Sequence, residues 1–326
     1  MRSKYGIIYA EHPVRSLWML PSSVLSSNRD FLSFEAARVY VFSPCRLFWS
    51  RSEQLLSHTK ENLMKADFDL IVHKFDKPIT IYPIADIHYG AINHQKAEWD
   101  SFIHRIEKEE NAYLILNGDL INNNTRSSVG SPFDDFVRPR EQKMRMVEYL
   151  EPIKHKILCI VPGNHENRSL KDVDDDPTYD IACKLDIEDV YRRNAAFLKV
   201  GIGQHNKGRG FTSPYQTYIF AVTHGSGGGI YTGSTVNRNE RWGNVIDGVD
   251  CVIVGHTHKG TVTRPSKLVV DPRTNKVEIR NYLVVSCVAW QAYGEYALQK
   301  MLLPSASAQP QRLLLEETVK RISVAW

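Results

Sequence analysis

The sequence predicts an α/β fold that carries its functional groups at the carboxyl ends of its strands. Between residues 79 and 161, short apolar runs alternate with segments of helical periodicity, which is typical of a layered sheet with helices packed against it. Polar motifs that contain glycine follow several of the apolar runs directly. Because α/β proteins bind ligands at such strand ends, these motifs form the candidate site.

The first half of the predicted fold consists of four strands and two helices. The strands are apolar runs bounded by turn residues, at 68–74, 79–85, 113–116 and 156–161. The helices are predicted at 96–110 and 140–155, because apolar residues recur there at intervals of three and four.

The second half is predicted to contain one helix at 178–198 and several strands. The strands are expected at 215–223, at 250–254, in a hairpin of 267–271 with 276–288, and at 318–326 after a linker at 301–311. The acidic segment 172–176 is interpreted as a solvated loop, since it lacks the Gly and terminal Glu of a calcium loop. The glycine-rich segment 225–233 lacks the Lys-Ser/Thr of a phosphate-binding loop and is interpreted as a flexible rim.

The composition is typical of a globular protein and argues against a membrane-spanning or disulfide-bonded one. The chain has 326 residues, of which 42% are hydrophobic, as expected for a globular protein. A net charge of +4 does not by itself indicate a nucleic-acid partner, and no apolar run is long enough to cross a bilayer. Five scattered cysteines without a C-x-x-C pair indicate thiols in a reducing cytoplasm. They are Cys45, Cys159, Cys183, Cys251 and Cys287.

Residues 1–63 differ in composition from the rest of the chain. They are rich in Ser, Arg and aromatic residues, and they lack the periodicity seen from Met64 onward. We interpret them as an N-terminal extension, with two alternatives left open: a disordered segment, or a mis-assigned start with Met64 as the natural one. Residues 64–326 are predicted to form one domain, with 301–311 as a linker to a final strand.

The motifs at the strand ends together supply a set of metal ligands. Residues two apart in extended chain point the same way, so the two members of each D-x-H or H-x-H pair can face one centre. The set contains nitrogen and oxygen donors and no thiolate, which suits Mn, Fe or Zn, and seven donors suit two ions that share a carboxylate. Each residue alone is more typical of an ordinary turn or packing position. The seven are Asp86, His88, Asp119, Asn164, His224, His256 and His258.

In order and spacing, these residues resemble the motifs of the calcineurin-like metallophosphoesterases. That family carries D-x-H, G-D-x-x-[DN], G-N-H-[DE], a solitary His and G-H-x-H, and all five are present over about residues 80–260. The resemblance implies a four-layer α/β fold in which a two-sheet β-sandwich is flanked by helices. It also implies an enzyme, a hydrolase of phosphoric ester bonds.

The resemblance further implies two divalent metal ions and a mechanism. Manganese is preferred, with Fe, Zn, Ni and Mg as alternatives. A hydroxide that bridges the ions would attack phosphorus, His165 would protonate the leaving oxygen, and Asp86 would orient His165. Glu166 and Arg168 are interpreted as supporting residues. One ion would be held by Asp86, His88, Asp119 and His258, and the other by Asp119, Asn164, His224 and His256.

The substrate is less closely defined than the chemistry. Protein phosphatases of this superfamily continue the second motif with Asp-Arg-Gly, whereas this chain has Asn at 122, 123 and 124. We therefore expect a phosphodiester, from nucleic acid or a nucleotide, with a phosphomonoester as the alternative and no membrane partner. A different class, a non-catalytic binding scaffold on the same fold, is the third hypothesis. The sequence does not indicate an oligomeric state.

Overall fold

Two β-sheets and the helices that flank them form the described part of the chain. In this computed structural model the described residues are 68–128, 130–203 and 215–326. The interpretation of residues 1–63 therefore lies outside the described residues. The mixed α/β class with two sheets, predicted above, is confirmed.

The strands and helices are numbered in chain order. The strands are β1 (Leu70–Phe75), β2 (Ile79–Ile84), β3 (Ala112–Asn117), β4 (Ile157–Val161), β5 (Ala195–Ile202), β6 (Gln216–Thr223), β7 (Cys251–Val254), β8 (Thr261–Thr263), β9 (Ser266–Asp271), β10 (Lys276–Asn281), β11 (Leu283–Ser286), β12 (Arg312–Leu315) and β13 (Ile322–Ala325). The α-helices are α1 (Lys96–Lys108), α2 (Pro139–Leu150), α3 (Glu166–Val173), α4 (Pro177–Lys184), α5 (Thr232–Val245) and α6 (Glu295–Gln299).

Parallel pairing brings the ends of the central strands to common edges. One sheet has the order β13-β12-β2-β3-β4, and within it β2, β3 and β4 are parallel. The other has the order β1-β5-β6-β7-β11-β8, and within it β6, β7 and β11 are parallel. A separate antiparallel ribbon consists of β9 and β10. The carboxyl ends of β2, β3 and β4 thus share one edge, as do those of β6 and β7.

The middle strands of the six-stranded sheet are buried on both faces. Along β6 and β7, Phe220 and Ile253 belong to the main core, which also takes residues from the five-stranded sheet, α1 and α2. Their neighbours Ala221 and Val252 face a second cluster, against which Trp242 of α5 packs. Because successive side chains of a strand point to opposite faces, this alternation places the sheet between the main core and a helical layer.

Several predicted elements differ from the structure in the second half of the chain. The helix predicted at 178–198 is wrong: α4 ends at Lys184, Asp186 adopts a left-handed φ of 56°, and β5 begins at Ala195. The predicted strand at 276–288 is two strands, because β10 pairs with β9 and β11 pairs with β7 in another sheet. The 301–311 segment leads first to β12, which was not predicted, and then to β13. The helices α3 and α5 were also not predicted.

The acidic segment 172–176 connects two helices. Asp174 ends α3 in the left-handed conformation, and the carboxylate of Asp176 accepts a hydrogen bond from the Tyr179 amide at the start of α4. The segment is therefore more than a solvated loop, because it also caps two helices. Across the residues that the structure describes, every helix is too short or too polar to span a bilayer.

Candidate metal centre

The seven candidate ligands follow the carboxyl ends of five strands in the two sheets. Asp86 and His88 come after β2, and Asp119 comes two residues after the end of β3. Asn164 comes three residues after the end of β4. From the other sheet, His224 follows β6 directly, and the pair His256 and His258 follows β7. The structure brings six of these side chains, together with His165, into three overlapping clusters, and Asn164 contacts two of the histidines.

Five of the seven residues have backbone conformations that side-chain-bearing residues seldom adopt. Their φ angles are 56° at Asp86, 48° at His88, 51° at Asp119, 69° at His256 and 56° at His258. Each such residue costs about 1–3 kcal/mol and persists only where the surrounding structure holds it, which is typical of functional sites.

Close backbone contact explains the glycines of the second and third motifs. Gly118 has a φ of 77°, and a Cβ there would lie 2.5 Å from the Gly163 nitrogen. A Cβ at Gly163 would lie 2.1 Å from Asp119 Oδ1. No side chain fits at either position, so the ends of β3 and β4 can approach each other only with glycine.

The first cluster consists of Asp86, His88 and His258. The His258 Nε2 atom lies 3.2 Å from Asp86 Oδ1 and 3.1 Å from His88 Nε2. His88 Nε2 also lies 3.7 Å from Asp119 Oδ2. Asp86, His88 and His258 are close enough together to share one metal ion, and His88 forms a further cluster with Asp119 and His165.

The second cluster is built around the other side of Asp119. Asp119 Oδ2 lies 3.2 Å from His224 Nε2. The Asn164 Oδ1 atom lies 3.1 Å from His224 Nε2 and 2.5 Å from His256 Nδ1. Asp119, His224 and His256 can hold a metal ion together. Asp119 Oδ2 therefore lies between the two clusters, near His88 of the first and His224 of the second.

Each of the two carboxylates has one oxygen fixed by the backbone and one turned into the clusters. Asp86 Oδ2 accepts a hydrogen bond from the His256 amide at 2.9 Å, and Asp119 Oδ1 accepts one from the His165 amide at 2.8 Å. The buried Asp86 Oδ1 atom makes no well-formed hydrogen bond, and its neighbour is His258 Nε2 at 3.2 Å. An unsatisfied buried carboxylate oxygen is costly, and a cation would satisfy it, so these residues fit a metal site.

The electrostatics favour positive charge at two histidines of the clusters, whereas burial lowers the pKa of His88 and of His256. Burial raises the pKa of the Asp119 carboxyl, but His224, His165 and His88 outweigh burial and hold that pKa well below its usual range. Burial lowers the pKa of His224, but the Asp119 carboxylate outweighs it and raises that pKa to about 10. The pKa of His258 is lowered by burial and raised more strongly by Asp86. A site that draws protons onto two histidines is one that attracts cations. The findings thus support divalent metal binding.

A ring nitrogen of His224 is oriented by the residue that ends β3. Its Nδ1–H donates to the Asn117 carbonyl at 2.7 Å, which leaves Nε2 as the lone pair that faces the cluster. The Asn117 side chain in turn donates to the Thr223 carbonyl at 2.9 Å. Asn117 was not singled out from the sequence, although it directly precedes the Gly-Asp motif.

His165 lies beside His88 and Asp119, and its orienting partner differs from the prediction. Its Nδ1–H donates to the Asn122 carbonyl at 2.6 Å, and its Nε2 lies 3.9 Å from Asp119 Oδ2. The expectation that Asp86 orients His165 is wrong, because the Asp86 oxygens contact the His256 amide and His258 instead.

Glu166 supports the motifs through their backbone. Its buried carboxylate accepts hydrogen bonds from the amides of Asp119 at 3.0 Å, Ile121 at 3.1 Å and Gly163 at 2.9 Å. Burial, followed by the charge of Asp119, raises the pKa of Glu166 to about 7. Glu166 therefore ties the second motif to the third, in agreement with the supporting role expected of it.

Comparison with known proteins agrees with this geometry. The chain resembles a predicted phosphoesterase from Streptococcus pneumoniae (10% identity, 76% of this chain and 88% of that one, TM-score 0.30). It also resembles a metallophosphoesterase from Sphaerobacter thermophilus (14% identity, 76% and 87%, TM-score 0.36). At these TM-scores neither likeness bears on function, and no curated protein matches the chain. The family model of the calcineurin-like phosphoesterases matches residues 79–260, more than half of the chain. The chain therefore belongs to the calcineurin-like phosphoesterase family.

Proposed function

We propose that this phosphoesterase hydrolyses phosphodiesters of nucleotides or nucleic acid with two divalent cations, of which Mn²⁺ is the preferred one. One cation is held by Asp86, His88, Asp119 and His258, and the other by Asp119, Asn164, His224 and His256. The observation that carries the proposal is the position of Asp119 between the two clusters, with its Oδ2 atom 3.7 Å from His88 Nε2 and 3.2 Å from His224 Nε2. When bound, the cations supply Lewis-acid chemistry, because they neutralise charge on the phosphoryl oxygens and ease deprotonation of the attacking water.

His165 is proposed to hold the proton that the leaving oxygen receives. The Asn122 carbonyl can only accept, so the Nδ1 atom of His165 carries a hydrogen in every protonation state. The proton that His165 gains or loses is therefore on Nε2, the ring atom that faces Asp119. A proton at Nε2 is the one that can pass to a leaving alkoxide.

The second motif supports a diester rather than a protein-phosphatase substrate. Position 123, where the protein phosphatases have arginine, is Asn123, and this side chain is buried. Its Nδ2 donates to the His165 carbonyl at 2.7 Å and to Ser169 Oγ at 2.9 Å. The Asn123 side chain is thus hydrogen-bonded inside the protein and, unlike arginine, carries no positive charge that could bind a phosphate.

The proposal also covers the bounds of the domain and its location in the cell. We place the domain at residues 64–326, beyond the matched 79–260, because β1 pairs with β5 and β12 pairs with β2. We propose a cytoplasmic location, because the four cysteines in the described residues are free thiols.

The test is metal-dependent hydrolysis of bis(p-nitrophenyl) phosphate. We expect turnover with Mn²⁺, its loss on chelation, and two ions per chain by elemental analysis. His165→Ala should keep both ions and lower kcat roughly 100- to 10,000-fold, the usual contribution of general acid–base catalysis. His104→Ala is the matched control, since His104 is an exposed histidine of α1. Two bound ions without turnover on any phosphate ester would instead support the scaffold hypothesis.

A further inference from the structure

An arginine that makes no ion pair with any described carboxylate lies beside His165. Arg168 is three residues further along the chain, in α3. Its Nη1 atom donates to the Asn122 carbonyl at 3.4 Å and to Asn124 Oδ1 at 3.2 Å. The Asn122 carbonyl is also the acceptor for His165 Nδ1. The guanidinium and the imidazole are therefore held at one backbone oxygen, on the side of the site where the leaving group is proposed to be.

The other edge of this guanidinium has no partner in the described part of the chain. Nη1 makes two contacts, whereas Nε and Nη2 have no acceptor among the described residues. The Nε–Nη2 edge presents two parallel N–H groups, the geometry that fits two oxygens of a phosphate.

The carboxylates that surround Arg168 are all engaged elsewhere. Asp119, Glu166 and Asp135 are the acidic groups near enough to influence it. Asp119 faces the clusters, and Glu166 accepts from three backbone amides. Asp135 accepts from the side chains of Asn122, Asn124 and Gln142. A half-buried guanidinium has lost part of its hydration, and none of its neighbours replaces that water with an anion.

We propose that the Nε–Nη2 edge of Arg168 binds the non-bridging oxygens of the substrate phosphoryl group. This inference rests on the proposed function, and it assigns to Arg168 a role beyond the supporting one expected from the sequence. Arg168 would then be the phosphate-binding cation of a chain that has Asn123 where the protein phosphatases have arginine. The ligand class is any phosphate anion, since non-bridging oxygens occur in both esters and inorganic phosphate.

Inorganic phosphate is the probe, and direct binding is the measurement. Calorimetric titration of phosphate into the Mn²⁺-loaded protein should give a Kd that is roughly 10- to 100-fold higher for Arg168→Met than for wild type. Arg168→Lys should lie between them, because an ammonium keeps the charge and loses the bidentate edge. Arg126→Met is the matched control and should leave Kd unchanged, since Arg126 is an exposed arginine of the neighbouring loop.

The outcomes separate this inference from the proposed function. A wild-type Kd that equals that of Arg168→Met, or a wild-type protein that binds no phosphate, overturns the role of Arg168. The same holds if Arg126→Met weakens binding and Arg168→Met does not. If the Kd shifts as expected but no ester is hydrolysed, the anion site stands and the proposed activity fails. An unchanged Kd with slower turnover would show that Arg168 only braces residues 122–124.

Discussion

Two walls of the candidate metal centre are held in place by different means. We call residues 122–124 and 165–169 the anchored wall, and residues 225–231 the glycine rim. The anchored wall is tied to the protein by buried side chains that bond to backbone groups: Glu166 makes three such bonds and Asn123 makes one. The glycine rim follows His224 and is largely exposed.

The glycine rim depends on two long cationic side chains from outside it. Arg238 of α5 donates to the carbonyls of Ser226 at 3.1 Å and Gly228 at 3.2 Å. Lys259, the residue after His258, donates to the Gly229 carbonyl at 2.7 Å and to the Ile230 carbonyl. No carboxylate in the described part of the chain pairs with either cation, so backbone oxygens are their partners.

Because the two walls are held differently, we expect them to open in different ways. The hydrogen bonds of the anchored wall join the ends of β3 and β4 to α3, so breaking them weakens the core fold. The rim can separate from its two cations while both sheets stay intact, which is the behaviour of a locally unfolding segment. Substitutions in the anchored wall should therefore lower global stability, and substitutions around the rim should change only local opening.

Glu166→Gln should have the largest effect. The amide nitrogen of Gln cannot accept, so one or two of the backbone amides that Glu166 now satisfies would be left without an acceptor. Each buried amide without an acceptor costs about 1–3 kcal/mol, so the free energy of unfolding should fall by about 2–4 kcal/mol. Urea unfolding measures it, with the exposed Glu278→Gln of β10 as the control. A Glu166→Gln protein as stable as that control would contradict the distinction between the walls.

Lys259→Met should act on the rim alone. Methionine keeps the length of the buried stem and removes the ammonium that holds Gly229 and Ile230. Loss of bonds to a charged donor should make local opening roughly 10-fold more frequent. Chymotryptic cleavage after Tyr231, which is 70% exposed, reports this opening. Unfolding in urea should change by less than about 1 kcal/mol.

The control for the rim is Lys267→Met. Lys267 donates to the Ile246 carbonyl, outside the rim, and pairs with Asp247. Its removal should leave cleavage after Tyr231 at the wild-type rate. If Lys259→Met also leaves that rate unchanged, the rim is held by Arg238 or by its own backbone, and the comparison between the walls loses its basis.

The candidate ligands could be recognised from sequence because of where they stand. A buried strand such as β4 must be apolar, so an abrupt run of Gly-Asn-His after it is visible without any structure. Asp86 with His88, and His256 with His258, are visible for the same reason. The core strands β2, β3, β4, β6 and β7 were predicted to within two residues at each end, since each is a short apolar run between turn residues.

The contacts that could not be predicted from the sequence are those with backbone groups far along the chain. Glu166 contacts the amides of residues 45 and 47 positions away, and an amide leaves no mark on residue identity. Helix α3 was missed because its first residue, Glu166, lies inside the motif. Helix α5 was missed because its sequence is polar, with Gly233 and Gly243, and it buries few apolar side chains. The predicted helix over β5 ignored the alternation of Ala196, Leu198 and Val200, which all lie in the core.

Ser169→Ala should give the smallest of the three effects and still distinguish the walls. The Ser169 hydroxyl accepts from Asn123 Nδ2 at 2.9 Å and lies 3.1 Å from Asn123 Oδ1. Asn123 Nδ2 keeps its bond to the His165 carbonyl, so only part of the contact is lost.

The expected loss from Ser169→Ala is about 1 kcal/mol in urea unfolding, with metal content unchanged. Arg238→Met is the matched comparison, because it also removes hydrogen bonds to neutral partners but lies on the rim side. Its free energy of unfolding should stay within about 0.5 kcal/mol of wild type. If Arg238→Met proves the more destabilising of the two, the rim is part of the global fold and its exposure is no guide to how it opens.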